Sequence, residues 1–169
     1  PDRVAAAQKT LEKMQRPRAK EYSGEEGWKA VCDSHDIDLV YTPTPWHLHT
    51  PIAVRAMKNG KHAATEVPAA RTLDECWELV ETSEATKQHC MMLENCCYDF
   101  FEQLTLNMTR NGMFGELVHA EGAYNHDLTR DWLFNKNAYA DMWRLKENMK
   151  RNGNLYPTHG LGPVAPCMN

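Results

Sequence analysis

Three short apolar runs, each followed by a helical pattern, constrain the fold of this 169-residue chain more than any other feature. Ile37 to Tyr41, His62 to Val67 and His89 to Leu93 are too short for helices, and they run into "TPTP", "EVP" and "ENCC". Buried strands of a parallel sheet read this way, because covering helices erase the alternation of apolar and polar residues. The segments between them have helical signals. Thr50-Pro51 offers an N-cap and a proline at the first helical position, Ile52, Val54, Ala56 and Met57 follow, and Asn59-Gly60 closes the helix. Thr72 to Glu75 is a capping box opening a second helix through about Lys87. Asp2 to Gln15 and Glu25 to Ser34 predict two earlier helices. The expected fold class is α/β, an incomplete doubly wound parallel sheet. Its first strand, helix and strand are expected upstream of Pro1, since a domain seldom opens on such a helix.

Beyond Asn95 the pattern changes. Tyr98, Phe101, Leu104, Thr105 and Met108 predict one more helix, ended by Asn111-Gly112. Glu116 to Tyr124 predicts a strand in a different setting, and Asp127 to Arg151 reads as an elaborated loop. The stretch "NGNLYPTHGLGPV" is stiff and glycine-rich, with the period of neither helix nor strand. Residues 1–94 are therefore expected to form the sheet domain, and residues 95–169 the beginning of an α+β substrate domain that continues beyond Asn169.

Net charge of -4 with scattered Lys and Arg gives no basic footprint, which argues against nucleic acid as a partner. No apolar run approaches the roughly 20 residues that span a bilayer. The opening residues lack a signal peptide's apolar core, so any targeting segment would lie upstream and the compartment stays open. The six cysteines show no C-x-x-C spacing, so buried free thiols are expected rather than a metal ribbon.

In an open α/β sheet, ligands collect at the carboxyl ends of the strands. His47 and His49 lie on the first such end, but their loop offers no third ligand, so hydrogen bonding is expected there and no metal. Glu66 is a general base or, preferably, an acceptor for a ribose hydroxyl or a backbone group. Asn95 either holds a cofactor amide or caps the next helix. Farther on, Tyr124, Arg144, Tyr156 and His159 are the polar residues with chemical reach. The glycines and prolines around His159 suit a preorganised site or, alternatively, a tight helix entry.

Together, "TPWHLHTPIAVRAMKNGKHAATEVPAA", "CMMLENCCYDFFE" and "RNGNLYPTHGLGPVA" resemble the Gfo/Idh/MocA oxidoreductase superfamily, and within it the NAD-dependent glycosidases of family 109. Most of the superfamily carries E-K-P where this chain has Glu66-Val67-Pro68, which favours the glycosidase branch. The resemblance implies a Rossmann-like first domain and NAD as cofactor, contacted by Trp46, His47, Leu48 and His49, by Glu66 and Val67, by Asn95 and by Tyr156. A carbohydrate substrate would meet Tyr124, Arg144, Tyr156, Pro157, Thr158 and His159, with His159, Tyr124 and Tyr156 as candidate proton carriers. The implied activity is hydrolysis of α-N-acetylgalactosaminides by transient oxidation at C3, elimination and water addition, with NAD recycled. The alternatives are an NAD(P)-dependent sugar oxidoreductase or a non-catalytic sugar-binding relative. The resemblance also implies pairing into homo-oligomers. The fingerprint G-x-G-x-x-G is not in these residues, so this chain alone is expected to bind NAD weakly.

Overall fold

A computed structural model describes residues 2–169. In chain order it has α1 (Asp2–Lys13), α2 (Gly27–Asp33), β1 (Leu39–Thr42), α3 (His49–Lys58), β2 (His62–Thr65), α4 (Leu73–Thr86), β3 (Cys90–Met92), α5 (Phe100–Arg110), α6 (Trp143–Lys150) and α7 (Thr158–Val164). The strands form one parallel sheet of order β1-β2-β3, with Leu39 beside His62 and Ala63 beside Cys90. This register brings the carboxyl ends of all three strands, Thr42, Thr65 and Met92, to one rim.

Helix α3 is the centre of the core. Ile52, Ala53, Val54, Ala56 and Met57 are buried against Cys32 of α2, Val40 of β1, Ala63 of β2 and Leu79 of α4. Burying a side chain such as Ile52 or Met57 is worth about 1.5–3 kcal/mol, so this helix fixes the sheet. The other sheet face leaves Leu39, Tyr41 and Met91 about half exposed. Helix α4 starts as its sequence predicts, the Thr72 hydroxyl accepting from the Glu75 amide at 3.2 Å. The Glu75 carboxylate reaches back to the Arg71 amide at 2.6 Å, one residue earlier than a capping box requires.

Several expectations are corrected. Helix α3 begins at His49, fed by a tight turn over Trp46–Leu48, so Thr50 lies inside it and is not the N-cap. Its hydroxyl instead donates to the Ala69 carbonyl at 3.0 Å. Pro51 is tolerated within the first turn because that amide has no intrahelical acceptor. Glu116 to Tyr124 forms no strand: among the described residues no neighbouring strand meets its backbone. The stretch from Asp127 to Arg151 is no plain loop, since it carries a π-turn over Thr129–Leu133 and the helix α6. Eight residues of α6, rich in charge, are too few to show a clear period. The stretch around His159 is also helical, with Gly160, Gly162 and Pro163 inside α7. All six cysteines are free, but only Cys32 is buried and Cys76 is exposed. No described helix is long and apolar enough to cross a membrane.

Candidate active site

Helix α7 lies against the end of β3. The two glycines of "HGLG" explain how it comes so close. A Cβ on Gly162 would stand 2.9 Å from both Cys97 Sγ and Glu94 Cγ, closer than real side-chain atoms approach. Gly160 is similarly pressed against the backbone of Gly122. His159, directly before Gly160 in sequence, is thereby held against both the "ENCC" turn and the segment carrying Tyr124.

The imidazole of His159 is nearly buried, its side chain 9% exposed. Its Nδ1 lies 2.6 Å from Glu94 Oε1 and 3.3 Å from Cys96 Sγ. The rings of Tyr124 and Tyr156 flank it at centroid distances of 4.7 and 4.6 Å. Tyr156 in turn stacks on Trp46, 5.8 Å away with 16° between the planes. The Arg144 guanidinium sits 5.0–5.4 Å from the ring centroids of Tyr156, Trp46 and Tyr139, and donates to the Tyr139 hydroxyl at 2.7 Å. Tyr124, Arg144, Tyr156 and His159 line a cleft of about 190 Å³. An adjoining cleft of about 400 Å³ shares Tyr124, Arg144 and Tyr156 and reaches Trp46 and Asn154.

Burial pushes the Tyr156 phenol up to about 12, against a smaller opposite pull from Arg144. Tyr156 is therefore a neutral proton donor across the physiological range. Burial, then the Glu94 carboxylate, raises Cys96, and burial, then the same carboxylate, raises Cys97. Both stay thiols, which removes them as nucleophiles. Glu94, Cys96 and His159 each place one potential ligand atom within 4.8 Å of the others, which invites a metal reading. The geometry favours a hydrogen bond: two ligands of a tetrahedral zinc at about 2.1 Å stand about 3.4 Å apart, farther than Nδ1 and Oε1.

The other sequence-derived residues are distributed along the rim. His47 is exposed, whereas Trp46 and Val67 are buried and Leu48 is half-buried. His49 is 1% exposed, with Nδ1 2.8 Å from the Pro68 carbonyl and Nε2 2.7 Å from the Thr44 carbonyl. Its ring ties the loops after β1 and β2 together and leaves neither nitrogen for a ligand. Glu66 accepts from the Tyr41 hydroxyl at 2.5 Å, and its second oxygen has no partner among the described residues. Asn95 is exposed and does not cap: the Glu94 carboxylate accepts from the Cys96 amide instead. Pro157 and Thr158 face away from the cleft, lining a mainly apolar groove of about 690 Å³ with Pro68, Leu79 and Leu155. That groove is larger and mainly apolar, whereas Tyr, Arg and His side chains converge on the smaller clefts. Sequence reasoning passed over Glu94 and Cys96, although "ENCC" stood at a strand end where such residues matter.

Residues 2–94 match the oxidoreductase family with an NAD-binding Rossmann fold, Gfo/Idh/MocA, and residues 98–169 match the glycosyl hydrolase 109 C-terminal domain. The chain is 52% identical over 168 residues to a Bacteroides fragilis protein named alpha-N-acetylgalactosaminidase, covering 98% of this chain and 40% of that one. It is 51% identical over 170 residues to glycosyl hydrolase family 109 protein 1 of Bacteroides thetaiotaomicron, covering all of this chain and 36% of that one. Among solved structures, the aldose-aldose oxidoreductase of Caulobacter crescentus is similar at 26% identity and TM-score 0.56, over 69% of this chain and 33% of that one. The WlbA dehydrogenase of Bordetella pertussis, in complex with NADH and UDP-GlcNAcA, shares the fold at 20% identity and TM-score 0.57, over 69% of this chain and 31% of its own. The chain spans well under half of each relative, and these family names support a role of the glycosidase or oxidoreductase kind. With a Rossmann-type parallel sheet followed by a glycosyl hydrolase 109 domain, the chain belongs to the Gfo/Idh/MocA oxidoreductase family, in its glycoside hydrolase 109 branch.

Proposed function

We propose that this chain supplies the proton-transfer half of an NAD-dependent glycosidase acting on α-N-acetylgalactosaminides. The observation that carries the reading is the placement of His159 between two phenols, beside an arginine-lined cleft that no carboxylate lines among the described residues. Two facing carboxylates are what most glycosidases require, and NAD-dependent ones are the exception. The similarity to a protein named alpha-N-acetylgalactosaminidase supports the substrate.

The rim fits a dinucleotide. Three parallel strand ends lie side by side, and among the described residues one Glu66 carboxylate oxygen and the exposed Asn95 amide make no hydrogen bond, leaving them for a ribose hydroxyl and a cofactor amide. Trp46, His47, Leu48, His49, Glu66, Val67, Asn95 and Tyr156 would hold the cofactor, with His49 acting through the loop it ties. When bound, nicotinamide chemistry supplies a reversible hydride acceptor for a sugar carbon. The residues of this chain do the rest. His159 Nε2 makes no hydrogen bond among the described residues, so its lone pair can take a proton from the carbon next to the oxidised one. Tyr156, held neutral, donates toward the leaving oxygen, and Tyr124 orients the ring from the opposite side. Arg144 forks onto sugar hydroxyls. Residues 1–94 would serve the cofactor and residues 95–169 the sugar.

The test is multiple turnover in a full-length protein carrying this segment. The glycosidase reading expects nitrophenyl α-N-acetylgalactosaminide to be cleaved with no net NADH. NADH accumulating with each turnover would assign a sugar oxidoreductase instead. Full activity in His159→Ala would leave only a sugar-binding role for this cleft.

A further inference from the structure

Glu94 is 4% exposed, at the carboxyl end of β3, and one of its carboxylate oxygens, Oε2, is buried with no partner among the described residues. Burying a carboxylate this way is expensive, so a site that keeps one needs a use for it. The other oxygen, Oε1, accepts from the Cys96 amide at 3.0 Å and stands 2.6 Å from His159 Nδ1. The Cys96 bond fixes the oxygen from one side. Helix α7 fixes it from the other, because Gly162 leaves room for the Glu94 stem where any side chain would collide.

We propose that Glu94 is a positioning residue that holds His159 with its proton on Nδ1 and its lone pair on Nε2. This rests on the proposed role of His159 as the proton carrier. A neutral imidazole can present a basic Nε2 only when the proton sits on Nδ1, and an acceptor aimed at Nδ1 selects that form. The contact at 2.6 Å is that acceptor, and Cys96 Sγ adds a weaker one at 3.3 Å. Without the carboxylate, the Cys96 thiol could turn its S–H toward Nδ1 and move the proton to Nε2, which removes the base from the cleft. Glu94 itself stays behind the ring.

Nitrogen-resolved imidazole NMR of this chain reads the tautomer without substrate or cofactor. His159 is expected to carry its proton on Nδ1 in the wild type and on Nε2 in Glu94→Leu, a replacement of similar volume. A wild-type proton on Nε2, or an unchanged tautomer in Glu94→Leu, overturns the proposal. If Glu94→Leu fails to fold, the wild-type spectrum alone decides. In a full-length protein carrying this segment, Glu94→Leu should lower kcat by about 10²–10⁴-fold with KM little changed. The double variant with His159→Ala should be no slower than His159→Ala alone, since Glu94 acts through the histidine. Losses that multiply overturn the positioning role. If the wild type hydrolyses nothing, the glycosidase reading fails while the tautomer result still stands or falls on its own.

Discussion

A Cβ at Gly160 would stand 2.6 Å from the carbonyl oxygen of Gly122, so α7 and the segment bearing Tyr124 touch backbone to backbone. Nothing on either side can yield by rotating a side chain. Gly160→Ala is therefore expected to cost about 1–3 kcal/mol, the usual range for overpacking, and to part Tyr124 from His159. Urea denaturation measures the first effect. An unchanged midpoint would mean that the Tyr124 segment moves aside freely.

Tyr156 makes a prediction about alkaline pH. Its phenol sits at about 12 in the folded chain and would fall back to its ordinary 10 on unfolding. A raised folded value means that the stabilisation is complete below pH 10 and is lost as pH rises through about 12. Because the residue is only part-buried, water screens part of the effect. The stability difference between wild type and Tyr156→Phe should be flat from neutral pH to 9 and should shrink above 10, in chemical denaturation run at each pH. A slope already present near neutrality would refute this assignment.

His49 joins two loops through two carbonyls, at 2.8 and 2.7 Å. His49→Leu fills similar space but leaves unpaired the carbonyl oxygen, of Pro68 or Thr44, that accepts the imidazole N–H, at about 1–3 kcal/mol. The urea midpoint should drop accordingly. Retained stability would show that water replaces the ring.

Arg144 is held by three aromatic rings and the Tyr139 hydroxyl. Lysine keeps the charge but loses the planar fork, so Arg144→Lys should weaken sugar binding in the full-length enzyme. A cation–π loss of about 0.5–2 kcal/mol would raise KM by about 2- to 30-fold, read by steady-state kinetics. An unchanged KM would confine Arg144 to packing.

The first half of the fold was legible because each strand and helix carried its own signal. The run Ile37 to Tyr41, which contains most of β1, the stripe of α3 and the cap at Thr72 could be read without knowing their neighbours. The second half was less so. Glu116 to Tyr124 has strand composition, but a strand exists only where another backbone meets it, and local residues do not carry that information. The helical state of "THGLGPV" was hidden for a related reason: its glycines answer Glu94 and Gly122, which lie 68 and 38 positions away in sequence from Gly162 and Gly160. Resemblance marked His159 and both tyrosines, but the partner of Nδ1 became visible only in three dimensions.

Glu94 stands at the end of one family match and His159 well inside the next, so their hydrogen bond crosses the seam between them. Recombining homologues at that boundary would exchange whole folding units while leaving His159 facing a foreign carboxylate and thiol, and Glu94 a foreign glycine. Viable chimeras should therefore inherit "ENCC", Gly122 and "THGLG" from one parent, whichever side the crossover falls.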